Sequence, residues 1–123
     1  PAFASASWAG LPRPVGGDGA QTVDLVHVDD IAARLVAAAE GGAQCGHGET
    51  WDAGSGVETS VLDVAWAVGR ITGCSEVVHL PMRPGELPGT SLCATEFGPW
   101  PPEQRPPLVE DPRFRETVES YRP

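Results

Sequence analysis

Apolar side chains recur at helical spacing from Asp29 to Glu40, with Ile31, Leu35, Ala38 and Ala39 on one stripe and Ala32 and Val36 beside them. The pattern predicts a helix there, stopped by Gly41 and Gly42. A second helix is predicted from a cap at Thr59 or Ser60 to about Thr72, with Asp63 in its first turn and Gly73 as its stop. Its apolar positions form two stripes, Leu62, Ala65, Trp66 and Gly69 on one and Val61, Val64, Val68 and Ile71 on the other. It therefore reads as buried on two sides, with Trp66 in the core.

Shorter signals surround these helices. Residues 2–9 are small and apolar enough to be the last turns of a helix ended by Gly10 and Pro12, an element whose beginning is expected outside the chain. Arg13-Pro14-Val15-Gly16 reads as a short strand that Pro14 keeps to an edge. Gly17-Asp18-Gly19 is a turn, since both glycines can take positive φ, and the branched residues Val23, Val26 and Val28 after it favour an extended chain. A strand over Val23–His27 is expected to pair with residues 13–16 or with a partner lobe, and Asp29 or Asp30 to cap the next helix. Glu49–Ala53 and Glu76–Pro81 read as further strands, the second placing Met82 and Arg83 at its exit. Prolines exclude a regular helix over 91–110, so that segment reads as extended. A last helix is predicted from Asp111 and Pro112 to Tyr121, with Phe114, Val118 and Tyr121 on one face. The fold class implied is a small α/β lobe of α+β character, three or so helices with short strands, in one domain of 123 residues.

Composition narrows the function classes. Seventeen acidic residues against eight basic ones give a net charge of −9, which repels nucleic acid and anionic membrane surfaces alike. Neither is expected as a partner. No apolar run approaches a membrane span, and the Ala-rich start has no basic leader, which points to the cytoplasm. Cys45, Cys74 and Cys93 are odd in number and irregular in spacing, so they are expected as free thiols. Cys45, His47 and His79 lack the spacing of a metal site, and no metal is expected.

The turn at 17–19, the run through Asp30, Trp51-Asp52-Ala53-Gly54-Ser55-Gly56, Thr59-Ser60-Val61-Leu62 and Arg83-Pro84-Gly85-Glu86 occur in a fixed order. Together they resemble the C-terminal, substrate-binding part of an extended short-chain dehydrogenase/reductase of the NAD-dependent epimerase/dehydratase family. The match is best over residues 9–90, with a proline-rich extended segment at 91–110 and a terminal helix at 111–122 beyond it. The resemblance implies a single substrate-binding-lobe-like domain. The residues needed for the family's hydride chemistry are missing from the inventory: no Gly-rich dinucleotide turn occurs, the one tyrosine is Tyr121, and there is no lysine. No cofactor is therefore expected in this chain, and NAD only where a separate Rossmann domain is present.

Relatives that handle nucleotide sugars hold the diphosphate with two arginines, and the resemblance places one at Arg83 and the other at Val23. Leu25 and Gly16 stand where two aromatic residues are expected. The pocket implied is more apolar, with Arg83, Gln21, Leu25, Trp51 and Met82 as candidate substrate-binding residues. His27, Asp24 and Glu86 are the candidate acid/base groups, His27 being open to a structural role as well. Such a pocket suits small, largely hydrophobic molecules with one or two polar handles. Three readings follow. The first is a small-molecule-binding lobe with no redox activity of its own. The second is a cofactor-independent isomerase or cyclase of secondary metabolism. The third is a non-catalytic interaction domain whose former Rossmann-facing surface is covered by a second copy, as a homodimer, or by a partner enzyme.

Overall fold

The computed structural model describes residues 1–40, 53–87, 89 and 107–123. Helix α1, Ala2–Trp8, ends where Gly10 takes a φ of 70°. There the amides of Gly10 and Leu11 reach back to the carbonyls of Ser7 and Ala6, which satisfies groups the helix end leaves free. Strand β1 follows at Arg13–Gly16, then β2 at Thr22–Asp24 and helix α2 at Val28–Glu40. After residues 41–52, which lie outside the description, come β3 at Glu58–Ser60, α3 at Val61–Thr72 and β4 at Val77–Leu80. A 3-10 turn at Leu108–Glu110 leads into α4, Pro112–Glu119.

The strand pairing differs from the expected one. β1 pairs in parallel with β4, Arg13 opposite Val77 and Gly16 opposite Leu80, with α3 on the connection between them. β2 pairs antiparallel with β3, Thr22 opposite Ser60 and Asp24 opposite Glu58, and does not join β1. It also stops at Asp24 rather than running to His27. Asp24 turns its carboxylate to accept from the backbone amides of Ser55 and Gly56, each at 3.0 Å, and this draws the chain out of the ladder.

Ser60 caps α3 as expected: its hydroxyl accepts from the Asp63 amide at 3.0 Å and donates to the Asp63 carboxylate at 2.6 Å. At the other end Gly73 closes the helix with φ 78°. Burial on α3 centres on Ala65, Ala67, Val68 and Gly69, whereas Trp66 is 51% exposed and is not core as expected. Ala67 and Val68 join Ala4, Phe114 and Val118 in one cluster, so both ends of the chain pack on α3. Each Val or Phe side chain so buried contributes about 1.5–3 kcal/mol. The Trp8 indole donates to the Val118 carbonyl at 2.9 Å, fastening α1 to α4.

Arg13 is 1% exposed and has no carboxylate partner among the described residues. Its guanidinium donates to Ser7 Oγ and to the Cys74 carbonyl just beyond α3, where the carbonyl end of the helix favours a cation. Helix α2 has no buried side chain, and Leu35 and Val36 are exposed. Among the described residues no helix is long and apolar enough to cross a membrane. Cys74 is a free thiol, while Cys45, Cys93, His47, the expected strand at 49–53 apart from Ala53, and the proline-rich stretch up to residue 106 lie outside the described residues.

Candidate functional site

A cavity of about 790 Å³ opens between the first residues of α1, the exits of β1 and β4, the segment Leu25–Val28, and the apolar faces of α3 and α4. Its walls are mainly aliphatic and aromatic, with Val61, Val64 and Val68 from α3 facing Phe114 and Val118 from α4. The size is that of an ordinary small-molecule site. Five of the expected site residues line it: Gln21, Leu25, His27, Arg83 and Glu86.

Arg83 and Glu86 meet because Pro84 and Gly85 turn the chain between them. Proline suits the second position of such a turn, Gly85 supplies a φ of 81° at the third, and the Glu86 amide closes on the Arg83 carbonyl at 3.2 Å. The turn brings Arg83 Nε to 3.2 Å from Glu86 Oε2. That guanidinium contact, with the weaker help of Gln21, holds the Glu86 carboxyl below its usual range. Glu86 is thus a carboxylate at neutral pH and a poor proton donor. The Arg83 side chain is 84% exposed, so the pair is made largely in water.

Gln21 links this turn to the one at 17–19. Its side-chain amide nitrogen donates to the Gly16 carbonyl at 3.1 Å and to Glu86 Oε1 at 3.3 Å. A Cβ on Gly16 would sit in ordinary contact with the Glu86 carboxylate and the Gln21 amide, at 3.6 and 3.7 Å, so this glycine lies directly beside the polar group. The Gln21 oxygen Oε1 is buried and has no hydrogen-bond partner among the described residues. Leaving such an acceptor unpaired costs about 1–3 kcal/mol.

His27 serves α2. Nδ1 accepts from the Asp29 amide at 3.2 Å and its carbonyl accepts from the amides of Asp30 and Ile31, so the cap expected of Asp29 or Asp30 is supplied by His27. With Nδ1 accepting, the neutral ring carries its proton on Nε2. Asp30 instead receives a two-pronged contact from Arg113, at 2.8 and 3.1 Å, and Arg113 also grips Asp111 at 2.6 Å. This bridge ties the start of α2 to the start of α4 across the cavity wall. The Arg113 side-chain hydrogen bond pulls the Asp111 carboxyl down to about 2.

The remaining candidates fall elsewhere. Asp24 is taken up by the turn at Ser55 and Gly56, accepting from the Ser55 hydroxyl as well as from the two amides, and it does not line the cavity. Met82 lies against Gly17 and is also absent from the walls. Trp51 is outside the described residues. The proposed acid/base trio is therefore divided, with His27 and Glu86 on the cavity and Asp24 away from it. Phe3, Leu108, Thr117 and Tyr121 line the cavity without having been singled out for it; the apolar face of the last helix is legible in the sequence, but not what it faces. Tyr121 lies beyond the end of α4 and is exposed rather than packed with Phe114 and Val118.

No family model matches the chain. It is 33% identical over 124 residues to a UDP-glucose 4-epimerase of Mycolicibacterium smegmatis, covering 98% of this chain and 37% of that protein. Among solved structures it resembles the UDP-glucose 4-epimerase of Thermotoga maritima with UDP-glucose, at a TM-score of 0.75 and 27% identity, over 98% of this chain and 38% of that one. It also resembles the Bordetella bronchiseptica enzyme WbmF in complex with NAD+ and UDP, at a TM-score of 0.67 and 30% identity, over 95% of this chain and 33% of that one. The UDP-glucuronic acid 4-epimerase of Bacillus cereus gives a TM-score of 0.74 at 25% identity, over 98% and 39%. The chain is a small α/β domain homologous to part of UDP-glucose 4-epimerase and related NAD-dependent epimerase/dehydratases, and it spans between 33% and 39% of the length of these relatives.

Proposed function

We propose that the chain is a small-molecule-binding lobe related to the epimerase/dehydratases, with no redox activity of its own. The observation that carries this reading is the 790 Å³ cavity, whose apolar walls converge on the polar group of Gln21, Glu86 and Arg83. A shaped apolar space with a few fixed polar atoms binds by burying the ligand's surface and orients it by hydrogen bonds.

Hydride chemistry calls for a dinucleotide site, and the sequence has neither the Gly-rich turn nor a Tyr-x-x-x-Lys pair for one. Any NAD would sit on a separate Rossmann domain. Acid/base catalysis within this chain is the weaker reading, because the nitrogen Nδ1 of His27 and the carboxylates of Asp24 and Glu86 are each engaged in local structure.

Saturation-transfer NMR with small cyclic hydrocarbons and alcohols tests the reading. Binding is expected in the unmodified chain and is expected to weaken in Val64→Trp, whose indole would intrude on the cavity between α3 and α4. Calorimetry with NAD+ should give no heat. Binding unaffected by the tryptophan, or a saturable heat with NAD+ alone, would overturn the assignment.

A further inference from the structure

We infer that His27 is a fixed hydrogen-bond donor to the ligand of this cavity, which therefore carries a neutral acceptor oxygen, a carbonyl or an ether, on the side where α2 and α4 begin. This rests on the small-molecule reading above and adds to it the class of ligand and the residue that selects it.

The ring's hydrogens are set by the backbone beside it. Nδ1 accepts from the Asp29 amide at 3.2 Å, so a neutral ring with its hydrogen on Nδ1 would press that hydrogen against the amide's own. The other neutral tautomer carries the hydrogen on Nε2. Charging the ring does not change this, because an imidazolium would turn Nδ1 into a donor toward Asp29 Oδ2, 3.5 Å away, while Nε2 keeps its hydrogen. Nε2 is thus a donor in both charge states.

That donor is within reach of a ligand. Among the described residues, the side-chain nitrogens and oxygens that are both unpartnered and sealed from water are Arg13 Nε and Gln21 Oε1. Nε2 of His27 has no partner there either and is not one of that pair, so its surface is open. His27 lines the cavity and its side chain is 14% exposed, which leaves the cavity as the space that the ring edge meets. With Nδ1 anchored to the start of α2, Nε2 points from the opposite edge of the ring. A donor held in this way loses little freedom when a ligand arrives.

The surroundings choose the charge of the acceptor. Asp29, Asp30 and Asp111 stand about the starts of α2 and α4, with Arg113 bridging the last two. Three carboxylates against one guanidinium disfavour an anionic group beside His27, and a neutral oxygen avoids that repulsion. Leu108, Phe114 and Val118 supply an apolar wall for the rest of the ligand.

The test uses three phenyl compounds that differ in the acceptor: ethylbenzene with none, acetophenone with a neutral carbonyl, and benzoate with a charge. Dissociation constants are measured by NMR titration of the unmodified chain and of His27→Asn, whose shorter side chain can still accept from the Asp29 amide but does not reach as far as Nε2. In the variant the acetophenone constant is expected to rise about five-fold while that of ethylbenzene changes by less than about two-fold. Benzoate should bind the unmodified chain more weakly than acetophenone. A second readout needs no variant: long-range proton-nitrogen correlation spectra at about pH 8 should show His27 with hydrogen on Nε2 and none on Nδ1. Acetophenone should then shift Nε2 more than ethylbenzene does. A hydrogen on Nδ1, an Nε2 signal that responds equally to both compounds, tighter binding of benzoate, or an acetophenone constant unchanged in the variant overturns the inference and leaves the cavity a small-molecule site. If none of the three compounds binds, the small-molecule reading itself falls and takes this inference with it.

Discussion

Arg13 fills the space that a side chain on residue 69 would need. A Cβ at Gly69 would lie 2.5 Å from Arg13 Nη1 and equally close to the Cys74 carbonyl oxygen, so the buried guanidinium and the end of α3 leave room for hydrogen alone. Neither neighbour gives way cheaply, one being backbone and the other a fully enclosed side chain. Gly69→Ala is expected to destabilise the chain by about 1–3 kcal/mol, read as a lower urea midpoint at unchanged slope. An alanine variant as stable as the parent would show that Arg13 is not seated beneath α3.

The two glycines of the first turn should differ in the same assay. Both take positive φ, 61° at Gly17 and 79° at Gly19, and both lose that freedom on substitution. A Cβ at Gly17 would meet the flexible end of Met82, whereas one at Gly19 would meet Val15 Cγ1 at 2.8 Å and Leu62 Cβ at 3.0 Å. Met82 can swing aside, but the fully buried Val15 cannot. Gly19→Ala should therefore cost more than Gly17→Ala, by about 1 kcal/mol or more. Equal midpoints would contradict the packing of this turn on α3.

The cap on α3 gives a third measurement. Ser60→Ala removes both its contact with the Asp63 amide and the one with the Asp63 carboxylate, at a cost of about 1 kcal/mol. Ser60→Asp, which keeps an acceptor but sets a second carboxylate beside Asp63, should recover only part of the loss. Thermal unfolding followed by circular dichroism distinguishes these outcomes.

Acid should loosen the bridge between α2 and α4. Folding depresses the Asp111 carboxyl from 3.8 to about 2, so the unfolded chain binds this proton more readily than the folded one. The stabilisation is fully present above the unfolded value and is lost as pH falls from about 4 through about 2. The gap in urea midpoint between the parent and Asp111→Asn should be open at pH 5 and narrow across that window. A gap independent of pH would mean that ionisation of Asp111 contributes nothing to folding.

The helices were legible because their signals are local. Gly10, Gly73, Ser60 and the Asp111-Pro112 pair each mark an end through their own backbone preferences, and each end lies where they place it. Pairing of the strands was not, because parallel β1 and β4 are joined only through contacts distant in sequence, and β2 is too short for its alternation to choose a partner. Asp24 looked like a pocket acid since nothing local reveals that Ser55 and Gly56 will face it. Arg83 and Glu86, by contrast, were both singled out as pocket residues, and the Pro84-Gly85 turn between them brings them together there. Trp66 follows a helical stripe and still faces solvent, since periodicity fixes which residues share a side and not whether that side is covered.

The cluster of Ala4, Ala67, Val68, Phe114 and Val118 has a kinetic consequence. Ala4 and Val118 lie more than a hundred positions apart, so closing this cluster depends on contacts distant in sequence, which slow folding. The cluster is therefore complete only once α4 is in place, although α1 already has α3 and β1 to pack on. Without α4, the apolar side chains of α1 and α3 that Phe114 and Val118 cover stand open to association.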